Sequence, residues 1–373
     1  MQIPLSKPDI TRAEIKAVTD TLTTSKLSLG PKLPEFEKAL ADFVGVKYAV
    51  AVNSGTSALH LIVRALGIGP GDEVITTPFS FIASSNCILY EGATPVFVDI
   101  DPKTLNIDVT KIEANITKKT KAILAVDVFS HPADWDVLKK IAKKHKLLVI
   151  EDSAESLGST YYGKKCGNFG DAAILAFYPN KQITTGEGGA VLTNSKKIAD
   201  FCRSAANQGR QVKNGKWLEH VRLGYNYRLD EMSSSMGIVQ MERIKEILKK
   251  RKRVAEAYNK KLENSTALQI PHISPESTLS WFVYVIILAP GLAGKRDLVI
   301  KKMAGRGIHC SNYFKPIHLQ PFFKKQFGYK PGRYPITENI SNRTIALPFF
   351  NDLTEKEIDY VVENLKEIID TIA

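Results

Sequence analysis

Cysteine is scarce in this 373-residue chain: Cys87, Cys166, Cys202 and Cys310 lie far apart and form no C-x-x-C pair. That excludes both a zinc cluster of the usual spacing and a disulfide framework. The seven histidines form no H-E-x-x-H or similar ligand pattern, so no metal site is expected. Long apolar runs are missing too. The longest, residues 282–289, is stopped by Pro290 and is far too short to span a bilayer. Residues 1–8 lack the apolar centre of a signal peptide. These absences predict a cytoplasmic protein with no membrane association.

Acidic charge is in deficit. Lys and Arg number 51 against 39 Asp and Glu, a formal net charge of +12. No aromatic-interleaved basic patch, zinc finger or RNP-like motif accompanies the excess, and the run Lys249-Lys250-Arg251-Lys252-Arg253 reads as a solvated helix face. A nucleic-acid partner is therefore not expected, whereas a doubly anionic small substrate suits the charge. What is present is an ordinary globular composition, 44% hydrophobic and 24% charged. At this length two domains are expected, with ample core.

From residue 47 to residue 193, short apolar runs alternate with helical patterns. Residues 48–52, 73–77, 95–98, 122–127, 147–151, 172–177 and 190–193 read as strands, mostly near-continuous in β-branched or apolar residues, as strands covered on both faces should be. Segments 58–66 and 135–145 read as helices between them. The alternation predicts an α/β domain with a mainly parallel sheet. Thr11 and Glu14 form a capping box before a periodic helix, Gly45 ends the next one, and Thr354 with Glu357 starts a final one. A long helical segment is expected over residues 229–262, a strand over 281–288, and a helix over 296–304 ended at Gly305 or Gly307.

Three constellations carry chemistry. Asn53-Ser54-Gly55-Thr56-Ser57-Ala58 lies between a strand and a helix. Its glycine and the unpaired N–H groups of a helix N-terminus suit a phosphate, and equally a plain Ser/Thr cap. Glu151-Asp152-Ser153-Ala154-Glu155 closes a strand at the end where ligands of open α/β sheets gather. Phe177-Tyr178-Pro179-Asn180-Lys181 follows a buried-type strand and runs into the Gly-rich Gly186-Glu187-Gly188-Gly189. Burial lowers a lysine's pKa, as Schiff-base chemistry requires. Together a phosphate cup, an acid for a ring nitrogen and an amine for an aldehyde describe pyridoxal 5′-phosphate (PLP).

With these motifs and with Leu27-Ser28-Leu29-Gly30, Gly69-Pro70-Gly71-Asp72, Gly92-Ala93-Thr94-Pro95, Gly224-Tyr225-Asn226-Tyr227-Arg228 and Pro316-Ile317-His318-Leu319-Gln320, nearly the whole chain resembles the DegT/DnrJ/EryC1/StrS sugar aminotransferases. The resemblance implies a fold type I PLP-transferase. Its large α/β domain (residues 1–245) would have a mostly parallel central sheet flanked by helices, with a smaller C-terminal α+β domain over residues 246–373. It implies Lys181 as the catalytic, cofactor-bearing lysine and Asp152 as the partner of the pyridinium nitrogen. Gly55, Thr56 and Ser57 would form the phosphate turn, Phe81 would stack on the cofactor, and Ala154 would pack on its other face. Glu155 would neighbour the 3′-oxygen. Asn226 would reach the phosphate in the partner subunit of a homodimer with shared active sites, and His318 would line the sugar site.

Two departures from the family pattern stand out. The position five residues before the lysine, often a phosphate-binding Ser, is Ala176, so one bond is absent or supplied by Tyr178, Ser57 or water. Glu155 replaces the usual His or Gln and favours a protonated phenolic oxygen. The implied activity is amino transfer from L-glutamate to a nucleotide-linked keto sugar in amino-sugar or polysaccharide biosynthesis. The stretch Ile183-Thr184-Thr185-Gly186-Glu187-Gly188-Gly189 resembles C4-aminating members, with C3-sugar and cyclitol amination as alternatives. A sugar dehydratase, which carries His in place of the lysine, and a non-enzymatic regulatory protein are the remaining readings; the intact Lys181, Asp152 and Thr56 oppose them.

Overall fold

A computed structural model describes residues 1–213 and 216–372. Seven strands form its central sheet: β1 (Tyr48–Val52), β2 (Glu73–Thr76), β3 (Thr94–Phe97), β4 (Thr120–Val126), β5 (Leu148–Asp152), β6 (Ala172–Ala176) and β7 (Gly189–Thr193). Their order is β1-β7-β6-β5-β4-β2-β3. All run parallel except β7, which is antiparallel to both of its neighbours. Six helices belong to this first part of the chain: α1 (Arg12–Leu22), α2 (Lys32–Val44), α3 (Gly55–Ala65), α4 (Ala83–Tyr90), α5 (Trp135–His145) and α6 (Lys196–Ala206). The fold is thus α/β with a mostly parallel central sheet.

Strand residues alternate between two covered faces. Val50, Val52, Leu124, Val126, Ile150 and Ile174 pack on Leu59, Ile62 and Cys202 of α3 and α6. Ala49, Ala51, Ala173 and Leu175 meet Phe36 and Leu40 of α2, while Ile123, Ala125 and Val149 meet Trp135 and Leu138 of α5. Both faces exclude water, which is why the strands are apolar without a polar alternation. The alternation still decides where polar groups at a strand end point. Asp152, two residues after Ile150, falls on the α3 face, and Glu151 falls on the α5 face.

The expected helix over 229–262 is two helices, α7 (Glu231–Glu242) and α8 (Ile244–Leu262). They break at Arg243, whose φ of −90° and ψ of 0° leave the helical region. Its guanidinium reaches back to Asp9 at 2.8 Å and Glu14 at 2.6 Å, tying the junction to the N-terminal segment. After it come α9 (Arg296–Gly305), α10 (Pro321–Phe327), α11 (Pro335–Ser341) and α12 (Glu355–Ile372). The Thr354–Glu357 capping box starts α12, with Thr354 N–H donating to Glu357 at 2.8 Å. A small antiparallel sheet of β8 (Leu268–Gln269), β9 (Tyr284–Leu288) and β10 (Thr344–Leu347) packs on α8, α9 and α12. The strand expected from residue 281 begins only at Tyr284. Trp281 has a φ of +59°, and the Arg251 side chain takes the carbonyls of Trp281 and Phe282 at 2.7 and 2.8 Å, withdrawing them from any ladder.

The glycines after Lys181 have a packing role. A Cβ on Gly189 would lie 2.5 Å from the backbone nitrogen of Gly55 and 2.6 Å from the carbonyl carbon of Ser54, so β7 can run beneath the start of α3 only with glycine there. Gly189→Ala is therefore expected to destabilise the protein by about 1–3 kcal/mol through overpacking. Gly291→Ala, where an added Cβ meets nothing within 4 Å, should stay within about 0.5 kcal/mol. Urea denaturation of both variants checks the contrast.

Candidate active site

A cavity of about 540 Å³ opens at the carboxyl ends of β4, β5 and β6, on the α3 face of the sheet. Val126, Asp152, Ile174 and Ala176 form its floor, all on one strand face, while Ser54, Gly55 and Thr56 form one wall. Phe81 and Tyr178 also border it, 63% and 52% exposed. Ala154, Glu155, Asn180 and Lys181 enter from the loops that follow β5 and β6, and Phe282, Tyr313 and Phe314 from the second half of the chain.

Lys181 leaves β6 through a turn in which its N–H donates to the Tyr178 carbonyl at 2.9 Å. Its side chain is only 13% exposed, with the amine 3.6 Å from a carboxylate oxygen of Glu155 and 3.9 Å from the centre of the Phe282 ring. Burial pushes the amine's pKa below the ordinary lysine value, against the pull of Glu155 and Asp152. The acids answer in kind. Burial raises the pKa of Asp152, opposed by a 2.7 Å hydrogen bond from the Ser84 hydroxyl and a 3.2 Å one from the Ala154 N–H. Burial likewise raises Glu155, opposed by Lys181 and by the Phe129 N–H at 2.9 Å. An amine and two carboxyl groups thus share one cavity, and the amine's charge is favoured by both acids.

The turn Ser54–Thr56 is built for an anion. Ser54 caps α3, its hydroxyl accepting from the Ser57 N–H at 3.0 Å and its carbonyl from the Ala58 N–H at 3.1 Å. The N–H groups of Gly55 and Thr56 then remain at the first turn, where no intrahelical acceptor exists. The positive end of the helix dipole points into the cavity with them. A Cβ on Gly55 would lie 2.8 Å from that of Ala176, so the two small residues set how closely the cup approaches the sheet. Cup, acid and amine lie around one cavity, and on these observations the donor set fits PLP.

Gly55, Thr56, Phe81, Asp152, Ala154, Glu155 and Lys181 all border this cavity. Ser57, Asn226 and His318 do not. The Ser57 hydroxyl donates to Asn53 at 2.7 Å and lies 2.9 Å from the Ser54 hydroxyl, so neighbours in the turn occupy it. Asn226 sits on an extended segment bridged to Asn207. His318 is fully buried behind the Pro78–Phe81 segment, 3.0 Å from Glu338 and edge-on to Tyr334. Sequence reasoning did not find Ser84, Asn180, Phe282, Tyr313 or Phe314. Ser84 sits in a helix that no motif marks, and Phe282, Tyr313 and Phe314 lie outside the three constellations.

One further group of potential metal ligands, Asp127, Glu151 and Cys166, comes together beneath the floor. Asp127 already accepts from the Ala133 N–H, the Trp135 indole and Ser156, and Glu151 from the N–H groups of Gly167, Phe169 and Gly170, with the Ser153 hydroxyl hydrogen-bonded between the two acids. Protein donors occupy these oxygens. Among the described residues, no helix is long and apolar enough to cross a membrane.

The sequence profile of the DegT/DnrJ/EryC1/StrS aminotransferase family matches residues 8–366. The chain is 40% identical over 370 residues to the GDP-perosamine synthase of Caulobacter vibrioides, covering 99% of this chain and 98% of that one. It is 33% identical over 374 residues to a UDP-4-amino-4,6-dideoxy-N-acetyl-beta-L-altrosamine transaminase of Campylobacter jejuni, covering 99% and 98%. A solved structure from Streptococcus pneumoniae, described as a sugar aminotransferase in its PMP form, superposes with a TM-score of 0.95 at 30% identity, with all of both chains covered.

The Ser84–Asp152 bond can be tested by itself. Because the folded-state pKa of Asp152 is raised, its share of stability is present below the unfolded carboxylate value and is lost as pH rises through the folded value. Removing the Ser84 donor raises that pKa further and makes the loss larger. Ser84→Ala should cost about 1.5–3 kcal/mol near pH ~8 and distinctly less near pH ~4.5, measured by urea denaturation at each pH.

Proposed function

The chain belongs to the DegT/DnrJ/EryC1/StrS aminotransferase family, and from that premise we propose that it moves an amino group from L-glutamate to C4 of a nucleotide-linked keto sugar, with PLP held on Lys181. The observation that carries this reading is the shared cavity of the Lys181 amine, the Asp152 carboxylate and the α3 N-terminus. Bound there, PLP supplies an electron sink beside the carbon that exchanges nitrogen. The chain's own groups do the rest.

Lys181 anchors the cofactor through its amine, and when free that amine carries a proton to and from the substrate carbon. Asp152 keeps the ring nitrogen protonated, and Ser84 fixes the orientation of its carboxylate. The Gly55 and Thr56 N–H groups, with the α3 dipole, hold the phosphate. Phe81 and Ala154 would cover the ring, and Glu155 would favour a protonated phenolic oxygen. With Ala176 in place of a hydroxyl, the Thr56 and Tyr178 side chains at the cavity are placed to offer the phosphate a further hydroxyl.

Amination at C4 is supported by the Ile183–Gly189 stretch and by the name of the Campylobacter jejuni relative, which specifies a 4-amino sugar. The net charge of +12 suits a diphosphate-bearing substrate. We place Asn226 at the partner subunit's site in a homodimer. Two observations support this: Asn226 lies off its own chain's cavity, and exposed apolar residues surround its segment and the Leu27–Gly30 motif, with Leu223 69%, Val221 44% and Leu29 52% exposed.

Lys181→Ala should stay folded and lose both the yellow colour of a lysine-bound cofactor and all turnover. In the active enzyme, product NMR should place nitrogen at C4 as glutamate is consumed. Exclusive turnover of 3-keto sugars would overturn the regiochemistry and leave amino transfer standing.

The shared site has its own test. Mixed Lys181→Ala and Asn226→Asp chains, each inactive alone, should recover part of the activity, since one hybrid site holds both wild-type residues. A fully active monomer in sedimentation would sink the dimer.

A further inference from the structure

Phe282 carries no motif and reads in sequence as one more core residue. In the structure its ring is 3% exposed and its centre lies 3.9 Å from the Lys181 amine. The ring is strapped from several directions. Arg251 on α8 is buried, and its guanidinium donates to the Trp281 carbonyl at 2.7 Å, the Phe282 carbonyl at 2.8 Å and the Asn351 side-chain oxygen at 2.9 Å. The Phe282 N–H donates to the Ser130 hydroxyl at 2.7 Å. One residue beyond the lysine, the Gln182 amide donates to Ser280 at 2.8 Å and to the Glu155 carbonyl at 2.6 Å. The segment that presents the ring and the turn that presents the amine are therefore pinned to each other.

Three charged groups act on the amine. Glu155 at 3.6 Å and Asp152 favour its charged form, Arg251 disfavours it, and burial disfavours it most. A ring face this close acts in two opposite ways. It excludes water, which favours the neutral amine, and its negative quadrupole attracts the ammonium.

We propose that Phe282 is a positioning residue for Lys181, its ring both keeping water off the amine and holding the amine by its π face. The proposal rests on Lys181 as the cofactor's lysine, but the contact belongs to the free amine and can be measured without turnover. Full-length protein, freed of cofactor with hydroxylamine, is labelled competitively with acetic anhydride across pH. Lys181 is then followed by peptide mass spectrometry.

Phe282→Leu keeps an apolar cover and loses the π face, so the labelling midpoint should fall by about 0.5–1.5 units. Phe282→Ala admits water, so the midpoint should rise by about one unit toward the ordinary lysine value. Shifts of opposite sign support the proposal. No shift in either variant, or shifts of the same sign in both, overturns it. Loss of the yellow colour on Lys181→Ala reads the cofactor assignment separately, so either idea can fail while the other stands.

Discussion

A lysine amine buried between two carboxylates is the constraint around which this molecule is arranged. An isolated charge in such a place would be expelled or neutralised, so the surroundings must supply every compensation. Glu155 stands at 3.6 Å, and Asp152 is held by Ser84 and the Ala154 N–H. Holding these groups requires strand ends that do not move. The parallel strands β4, β5 and β6 supply them because helices cover both of their faces, leaving the carboxyl ends as the open place for polar groups. The anion cup at α3 then sits where the strand-to-helix turn after β1 must lie.

The acid pair that ends β5 divides its work by parity. Asp152 points into the cavity, and Glu151 points to the other face, where it accepts from the N–H groups of Gly167, Phe169 and Gly170. Burial raises the pKa of Glu151, and the nearby Asp127 charge raises it further. The three backbone N–H groups it accepts from lie in the loop between β5 and β6, so this carboxyl organises that loop. Ser153 bridges the two acids at 2.9 Å to Asp127 and 2.8 Å to Glu151. This scaffold fixes the loop ahead of β6 and so the strand that delivers Lys181.

Sequence patterns reveal much of this because the first half of the chain obeys local rules. All seven strands lie within one or two residues of their expected bounds, and the helix over 135–145 matches its pattern end to end. Lys181, Asp152 and the Gly55–Thr56 turn are visible since each follows a strand in a motif with its own chemistry. Other parts depend on contacts that no spacing records. The break at Arg243 follows from acids more than two hundred residues earlier in the chain. The late start of β9 follows from Arg251, whose sequence context is a charge run that reads as solvated surface. Ser84 lies in a helix without a marked face, and His318, a polar residue in a loop-like motif, is folded into an aromatic cluster with Tyr329 and Tyr334.

Helix α3 links the cavity of its own chain to the segment that carries Asn226. Its first turn forms the anion cup. One turn further on, His60 is hydrogen-bonded to the Tyr227 hydroxyl at 3.1 Å and to Glu91 at 2.7 Å, and Arg64 donates to the Tyr225 hydroxyl at 2.8 Å. Tyr225 and Tyr227 stack at 4.8 Å on either side of Asn226 in the sequence. At the mouth of the cup, the Asn53 N–H donates to the Tyr227 carbonyl at 2.9 Å, while its side chain accepts from Ser57. The Asn226 segment therefore cannot shift without straining the helix whose dipole faces the chain's own cavity. In the homodimer proposed above, each α3 would hold one phosphate by its N-terminus and position the asparagine for the other through its tyrosine clamp. Two incomplete sites would then be built to a common geometry by one rigid element in each chain.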